Sequence, residues 1–261
     1  MTTDFKPVEV IEGDFSLGML IIADHAMRHM PPEYGRLGLP DHEFDRHIAY
    51  DIGVEGVVRH LVEQTGAPAV MARYSRLLID PNRGEDDPTL VRQIYDGAII
   101  PGNYPLYADE LHQRKESYFR PFRMAVEETA AAIEEKTGSA AMILSIHSFT
   151  PRMGNRPRPW HVGLLWDVDD RLFERLFDAL KADPSLIVGD NEPYDGALKG
   201  DTLHEHATIK GRAHVLIEIR QDLIASESGQ KEWAARLAPL FISINADPLM
   251  HERVHFGSRT D

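Results

Sequence analysis

Three apolar runs in this 261-residue chain end on, or just beyond, a residue able to do chemistry. "MLIIADH" delivers His25, "MILSIHS" delivers His147 and "HVLIEIR" delivers Glu218. Two histidines at neighbouring strand ends can converge on one point. A neutral imidazole is an ordinary zinc ligand, and catalytic zinc commonly takes two histidines, a carboxylate and a water. The competing reading is that each is a hydrogen-bonded core group, as most of the 13 histidines must be. Glu218 is costly to bury without a partner. It could pair with Arg220, two residues on and on the same strand face. It could instead be a general base tuned by partial burial and a nearby cation.

A second constellation lies in "SRLLIDPNR". Arg76 and Arg83 flank Asp80 and Asn82, and each guanidinium is a planar fork for a carboxylate. Arg83 could equally cap the acidic loop "GEDD" that follows, and Asn82 could simply stabilise a turn after Pro81. Tyr194 and Asp195 in "NEPYDG" lie in a loop able to close over a substrate, although Pro193 and Gly196 would explain a plain turn. His206 in "LHEHATIKG" is expected to be exposed rather than turned to the pocket.

The elements that must position these residues alternate between strand and helix. "GMLIIADH", "APAVMARYS", "AAMILSIH", "WHVGLLWDV" and "HVLIEIRQDLI" read as buried strands, with a short one in "SLIVGDNEPYDG". "RLLIDPNRGEDD" reads as a strand end breaking into a loop. Phe44, Ile48, Ile52, Val57 and Leu61 recur at near-helical spacing, predicting a helix from Asp41 as N-cap to Gly66 as C-cap. "LYADELHQRKESYFRPFRMAVEETAAAIEEKTG" predicts a long helix, or two, with a break near Pro121. "DRLFERLFDALKAD" and "GQKEWAARLAPLFISINADP" supply two more helices, and the tail "HERVHFGSRTD" is expected to fray. This alternation predicts an α/β three-layer sandwich on a mostly parallel, mixed central sheet, with the site at the carboxyl ends of the strands.

Composition bounds the function. The chain is 43% hydrophobic and 27% charged, the balance of one large globular domain spanning residues 1–261. A net charge of -14 argues against a nucleic-acid partner. There is no cysteine, so disulfides, thiolate metal sites and thiol nucleophiles are excluded, and any metal must be held by His, Asp or Glu. "MTTDFKPVEVIEGDF" shows no secretory pattern, and the apolar runs are too short to span a bilayer. The expectation is a soluble cytoplasmic protein with a small acidic substrate, no nucleic-acid or membrane partner, and a homo-oligomer as an open option.

At this point the motifs resemble known ones. "SIHSF" resembles the strand-end "SIHSY" of the zinc carboxypeptidases, "IEIRQ" their "FELRD", and "IDPNR" the "DLNR" of the aspartoacylases. In order, "DHA", "LGL", "HIAYDIG", "SRLLIDPNR", "YDGAIIPGN", "IHSFTP", "NEPYDG" and "EIRQDLI" resemble the N-formylglutamate amidohydrolase family from Ala23 to Ile224. The resemblance implies a zinc-exopeptidase-like fold and a divalent metal, Zn2+ by analogy. It implies an amidohydrolase of amino-acid catabolism, in histidine degradation, that releases formate and L-glutamate from N-formyl-L-glutamate. It makes His25 and His147 metal ligands and Glu218 the base. Arg76, Asn82 and Arg83 would grip substrate carboxylates, with Arg76 or Arg83 supporting the oxyanion and Tyr194 on the closing loop. Carboxypeptidases place a ligating glutamate three residues after the first histidine, where this chain has Arg28. The third ligand is therefore expected from "FDRHIAYD", as Asp45 or His47. The alternatives to this reading are a hydrolase of another N-acyl amino acid or peptide, or a non-catalytic carboxylate-binding module of the same fold.

Overall fold

The computed structural model describes residues 5–261; residues 1–4 of the N-terminal stretch lie outside them. Five strands and two helices come first: β1 (Val8–Ile11), β2 (Met19–Ala23), α1 (Val54–Thr65), β3 (Ala69–Ala72), β4 (Ile94–Tyr95), β5 (Ala98–Ile99) and α2 (Ala108–Arg114). There follow α3 (Arg120–Thr137), β6 (Met142–Phe149), β7 (Arg152–Met153), β8 (Arg156–Pro157) and β9 (Val162–Leu165). The chain closes with α4 (Arg171–Lys181), β10 (Val188–Asp190), β11 (His214–Arg220) and α5 (Glu227–Asn245). Seven strands form one sheet in the order β1-β3-β2-β6-β11-β9-β10. Its core β3-β2-β6-β11 is parallel throughout. β1 on β3 and β9 on β11 are antiparallel, so the sheet is mixed but mostly parallel, as expected.

The inner strands β2, β3, β6, β9 and β11 are buried on both faces, which is why they read as unbroken apolar runs. Alternation along β2 shows the two faces directly. Met19, Ile21 and Ala23 pack with Val57 and Leu61 of α1, Leu176 of α4 and Trp233 and Phe241 of α5. Leu20 and Ile22 pack with Phe122, Val126 and Ile133 of α3. The result is helices, sheet, helix: three layers.

Three expectations need correcting. The helix expected from Asp41 begins only at Val54. Asp41–Asp45 is a short 3-10 turn, and Phe44 and Ile48 pack in the α3 layer, whereas Val57 and Leu61 pack in the other. One helix could not serve both sides of the sheet, so the periodicity across residues 44–61 is two patterns abutting. The join is Gly53, with φ of +86° and its Cα so close to the chain that a Cβ would lie 2.1 Å from the Ile224 carbonyl oxygen. Second, "RLLIDPNR" is not strand but a buried irregular loop. Third, the tail is docked: Val254 N–H donates to Gly211 O at 2.9 Å, and Arg259 bonds Asp167 and Asp195.

The break near Pro121 is a π turn over Lys115–Phe119 that joins α2 to α3. Its consequence is positional. Arg114, on α2, donates to Leu78 O at 2.9 Å, and Arg123, on α3, donates to Pro81 O at 3.1 Å and Arg83 O at 2.8 Å. Two buried arginines thus satisfy the carbonyls of the loop that carries Arg76, Asp80, Asn82 and Arg83. No helix among the described residues is long and apolar enough to cross a membrane.

Candidate active site

His25 lies just past the end of β2 and His147 near the end of β6, the adjacent parallel strand. Their rings meet edge to face with centroids 5.1 Å apart. Each ring is held from behind by a buried carboxylate. His25 Nε2–H donates to Asp80 Oδ1 at 2.7 Å, and His147 Nε2–H to Asp24 Oδ2 at 3.2 Å. Asp80 is fixed in turn by the Asn82 N–H at 3.0 Å, and Asp24 by the Thr202 hydroxyl. With Nε2–H given to these outer carboxylates, both Nδ1 atoms face inward, that of His147 within hydrogen-bond distance of a second carboxylate.

What they face is Asp51. Its Oδ2 lies 2.8 Å from His147 Nδ1 and 3.6 Å from His25 Nδ1. One ligand atom from each of His25, Asp51 and His147 lies within 4.8 Å of the others. His25 Nδ1 is buried and has no hydrogen-bond partner. The other Asp51 oxygen takes an ion pair from Arg76. Burial and the adjacent Arg76 guanidinium push His25 down to about 3, so it stands as a neutral ligand-type imidazole. Burial alone would raise Asp80 and Asp24. The histidines they hold outweigh it, together with Arg83 at Asp80, and both carboxyls sit below the usual range.

Glu218 stands beside this group. Burial pushes its carboxyl above the ordinary glutamate value, against the opposing pull of His147, Arg76 and Arg158. Its Oε2 is buried without a partner. Arg220, which could have paired with it, instead donates to Asp222 at 2.8 Å. On the other side of Glu218 the register partner is Gly163, where a Cβ would lie 1.8 Å from the Glu192 carbonyl oxygen. That missing side chain lets the loop bearing Tyr194 cross beside the base. Asn191 pins this loop, its Oδ1 accepting from Trp166 N–H at 3.0 Å and Gly196 N–H at 2.9 Å.

The histidines, Asp51 and Glu218 open on one cavity of about 500 Å3. His25, His147, Glu218, Arg76, Asn82, Arg83 and Tyr194 line it, so the structure brings these expected residues together. It does not bring Asp45 to them. Asp45 is an exposed surface residue paired with Arg28, which also donates to Phe44 O at 2.7 Å. His47 lines the cavity but turns to Asp96, 3.7 Å away, outside the His25–Asp51–His147 group. The carboxylate from this segment is Asp51, the last residue of the same "FDRHIAYD". The Asp51 N–H donates to His25 O at 2.8 Å, and Gly53 then turns the chain into α1. An aspartate two residues before a left-handed glycine at a helix start was the available signal. His206, expected to be exposed, is buried against Glu127 at 3.0 Å and does not line the cavity.

The N-formylglutamate amidohydrolase family model matches residues 17–225, a span holding every residue of this site. The chain belongs to the N-formylglutamate amidohydrolase family. As a member of it, the protein is a hydrolase acting on amide bonds. A crystal structure of a gene product from Agrobacterium tumefaciens is similar at 34% identity and a TM-score of 0.84, covering 92% of this chain and 95% of that one. The N-formylglutamate amidohydrolase of Ralstonia eutropha shares the fold at 20% identity, with a TM-score of 0.68 over 92% of this chain and 97% of its own. A comparison with curated protein sequences finds no match. Besides Asp51, reasoning from the amidohydrolase motifs misses Arg158, which lines the cavity from the turn after β8.

Proposed function

We propose that this amidohydrolase is metal-dependent and cleaves N-formyl-L-glutamate to formate and L-glutamate. The donor set fits a divalent ion, Zn2+ above all: two imidazoles and one carboxylate, with His25 Nδ1 buried and unpartnered. With Nε2–H given to Asp24, the His147 Nδ1 lone pair and Asp51 Oδ2 repel at 2.8 Å unless a cation or proton lies between them. His25, Asp51 and His147 would hold the ion. Bound there, the metal supplies Lewis acidity that polarises the amide carbonyl and lowers the pKa of water.

The remaining work belongs to the side chains. Glu218 takes a proton from the attacking water at Oε2 and hands it to the leaving nitrogen as the C–N bond breaks. The formyl carbon leaves as formate and the nitrogen as the amine of glutamate. Arg76, held by Asp51, stabilises negative charge growing on the carbonyl oxygen. Asn82 and Arg83, on the loop buttressed by Arg114 and Arg123, hold the α-carboxylate. Such a reaction fits amino-acid catabolism, histidine degradation in particular, in the cytoplasm.

The observation that carries this reading is the unpartnered Glu218 Oε2 in the same cavity as the His25–Asp51–His147 group. The deciding experiment measures acid release from N-formyl, N-acetyl and longer N-acyl amino acids, with and without chelator. Formate release from N-formyl-L-glutamate that stops on chelation and returns with zinc supports it. Chelator-resistant turnover, or preference for a different acyl amino acid, overturns the metal or the substrate respectively.

A further inference from the structure

Arg114, Arg123, Arg158, Arg171 and Arg212 are the arginines that are nine-tenths or more buried among the described residues. Four of them have a carboxylate at hand. Arg114 pairs with Glu110 at 2.9 Å, Arg123 with Glu205, Arg171 with Asp169 at 2.6 Å, and Arg212 with Glu127 and Glu134 at 3.0 and 2.9 Å. Arg158, 9% exposed, has no carboxylate within ion-pair reach among the described residues. It is also the one of the five that lines the active-site cavity.

What holds Arg158 is neutral. Its Nη1 donates to Thr150 Oγ1 at 3.0 Å and to Tyr194 Oη at 3.0 Å. Its guanidinium lies 5.0 Å over the Tyr194 ring and 5.9 Å from that of Phe149. Nη2 meets only Met153 Sδ, at 3.6 Å. These contacts aim the fork but give it no ion pair; Glu218 of the same cavity feels its charge without reaching it, and a buried charge without a paired counter-charge is costly. A ligand anion would remove that cost.

The other cavity arginines are placed differently. Arg76 is neutralised by Asp51. Arg152 sits exposed on the β7–β8 hairpin, donating to Asn155 O at 2.8 Å, and Arg92, half-buried, is stacked 4.6 Å over the Tyr95 ring. That leaves Arg83, on the loop after Asp80, and Arg158, on the wall made by the β7–β8 turn and the Tyr194 loop. Two cations on separate walls match two carboxylates on one molecule.

We infer that Arg158, oriented by Tyr194 and Thr150, is the specificity-determining residue that takes the side-chain carboxylate of an acidic amino acid. Arg83 takes the α-carboxylate; this division rests on the seat of the amide proposed above. Arg158 makes no contact with the reacting atoms. It selects acidic over neutral side chains of equal size.

The test compares N-formyl-L-glutamate with N-formyl-L-glutamine, which differ by one charge at nearly constant shape. The parent protein is expected to favour the acidic substrate in kcat/KM by on the order of 100-fold, since the neutral one leaves a buried cation unpaired. Arg158→Gln is expected to bring that ratio to about one, the loss falling mainly on the glutamate substrate. Arg158→Lys keeps part of the preference. Equal losses on both substrates, or an unchanged ratio in Arg158→Gln, would overturn the assignment. Calorimetric titration with L-glutamate and L-glutamine reads the same preference without turnover. If the parent hydrolyses neither substrate but its glutamate preference still depends on Arg158, the reaction proposed above fails and this assignment stands. If calorimetry finds no preference in the parent, this assignment fails.

Discussion

Glu218 and His147 are register partners on the adjacent parallel strands β11 and β6. Partners in register leave a sheet on the same face, so both side chains enter the cavity together. Both are buried. The spacing between base and metal-ligand candidate is therefore set by the backbone ladder of the central sheet. Asp51 comes from a loop, yet it is anchored to the sheet end: the Ser148 N–H on β6 donates to Asp51 Oδ2 at 3.3 Å, the Asp51 N–H donates to His25 O just past β2 at 2.8 Å, and Arg76 is held through its ion pair with Asp51.

Glu218→Gln keeps the shape of the side chain but cannot accept a proton. Turnover is expected to fall by about 10²- to 10⁴-fold, the range of general acid–base catalysis. Metal content, measured on the purified protein, should be unchanged. A Gln variant that retains near-parental turnover would remove Glu218 from the mechanism.

The metal group can be separated from its neighbours by substitution. His147→Ala and Asp51→Asn are each expected to abolish stoichiometric zinc, with the melting temperature then no longer lowered by chelator. Asp45→Asn and His47→Ala should leave zinc at one equivalent, because Asp45 pairs with Arg28 and His47 faces Asp96. Zinc lost from Asp45→Asn but kept by Asp51→Asn would reverse the ligand assignment.

Asp80 acts on the site through His25. Replacing it by Asn removes the charge that orients the ring and raises its basicity. Zinc affinity is expected to weaken about 10- to 100-fold, as at other carboxylate–histidine pairs. Activity at limiting zinc should fall and recover in excess zinc. Competition titration with a chromophoric chelator measures the affinity directly, and an unchanged value would make Asp80 purely structural.

The legible parts of this molecule were those written in local pattern. The continuous apolar runs of β2, β6 and β11 announce doubly covered parallel strands, and their ends point to His25, His147 and Glu218. The third member of the metal group was hidden because residues 44–61 mimic one amphipathic helix while serving both layers of the core. The edge strand β1 was hidden in a short mixed-polarity stretch that only pairing with β3 makes regular. Arg158 was hidden for another reason. "RPRPW" carries no periodicity, and what distinguishes this arginine is that no carboxylate forms an ion pair with it, which exists only in three dimensions.

Asp201 offers a test of the electrostatics away from the metal group. It lines the cavity, is 4% exposed, and its Oδ1 accepts the His204 N–H at 2.7 Å. Burial pushes its carboxyl up to about 7, with the His204 bond and Arg123 opposing and Asp24 reinforcing the rise. The fold therefore holds this proton more tightly than the unfolded chain does. Its contribution to stability is complete below the unfolded value of about 4 and is lost as the pH climbs through about 7. Asp201→Asn keeps the acceptor for His204 and cannot ionise. The variant should gain stability over the parent as the pH rises from 5 to 7, by up to about 3 kcal/mol, and then hold that gain level to pH 8. Denaturant melts at half-unit pH steps measure this; a gap between the two proteins that stays constant from pH 5 to 8 would show that Asp201 does not titrate in this range.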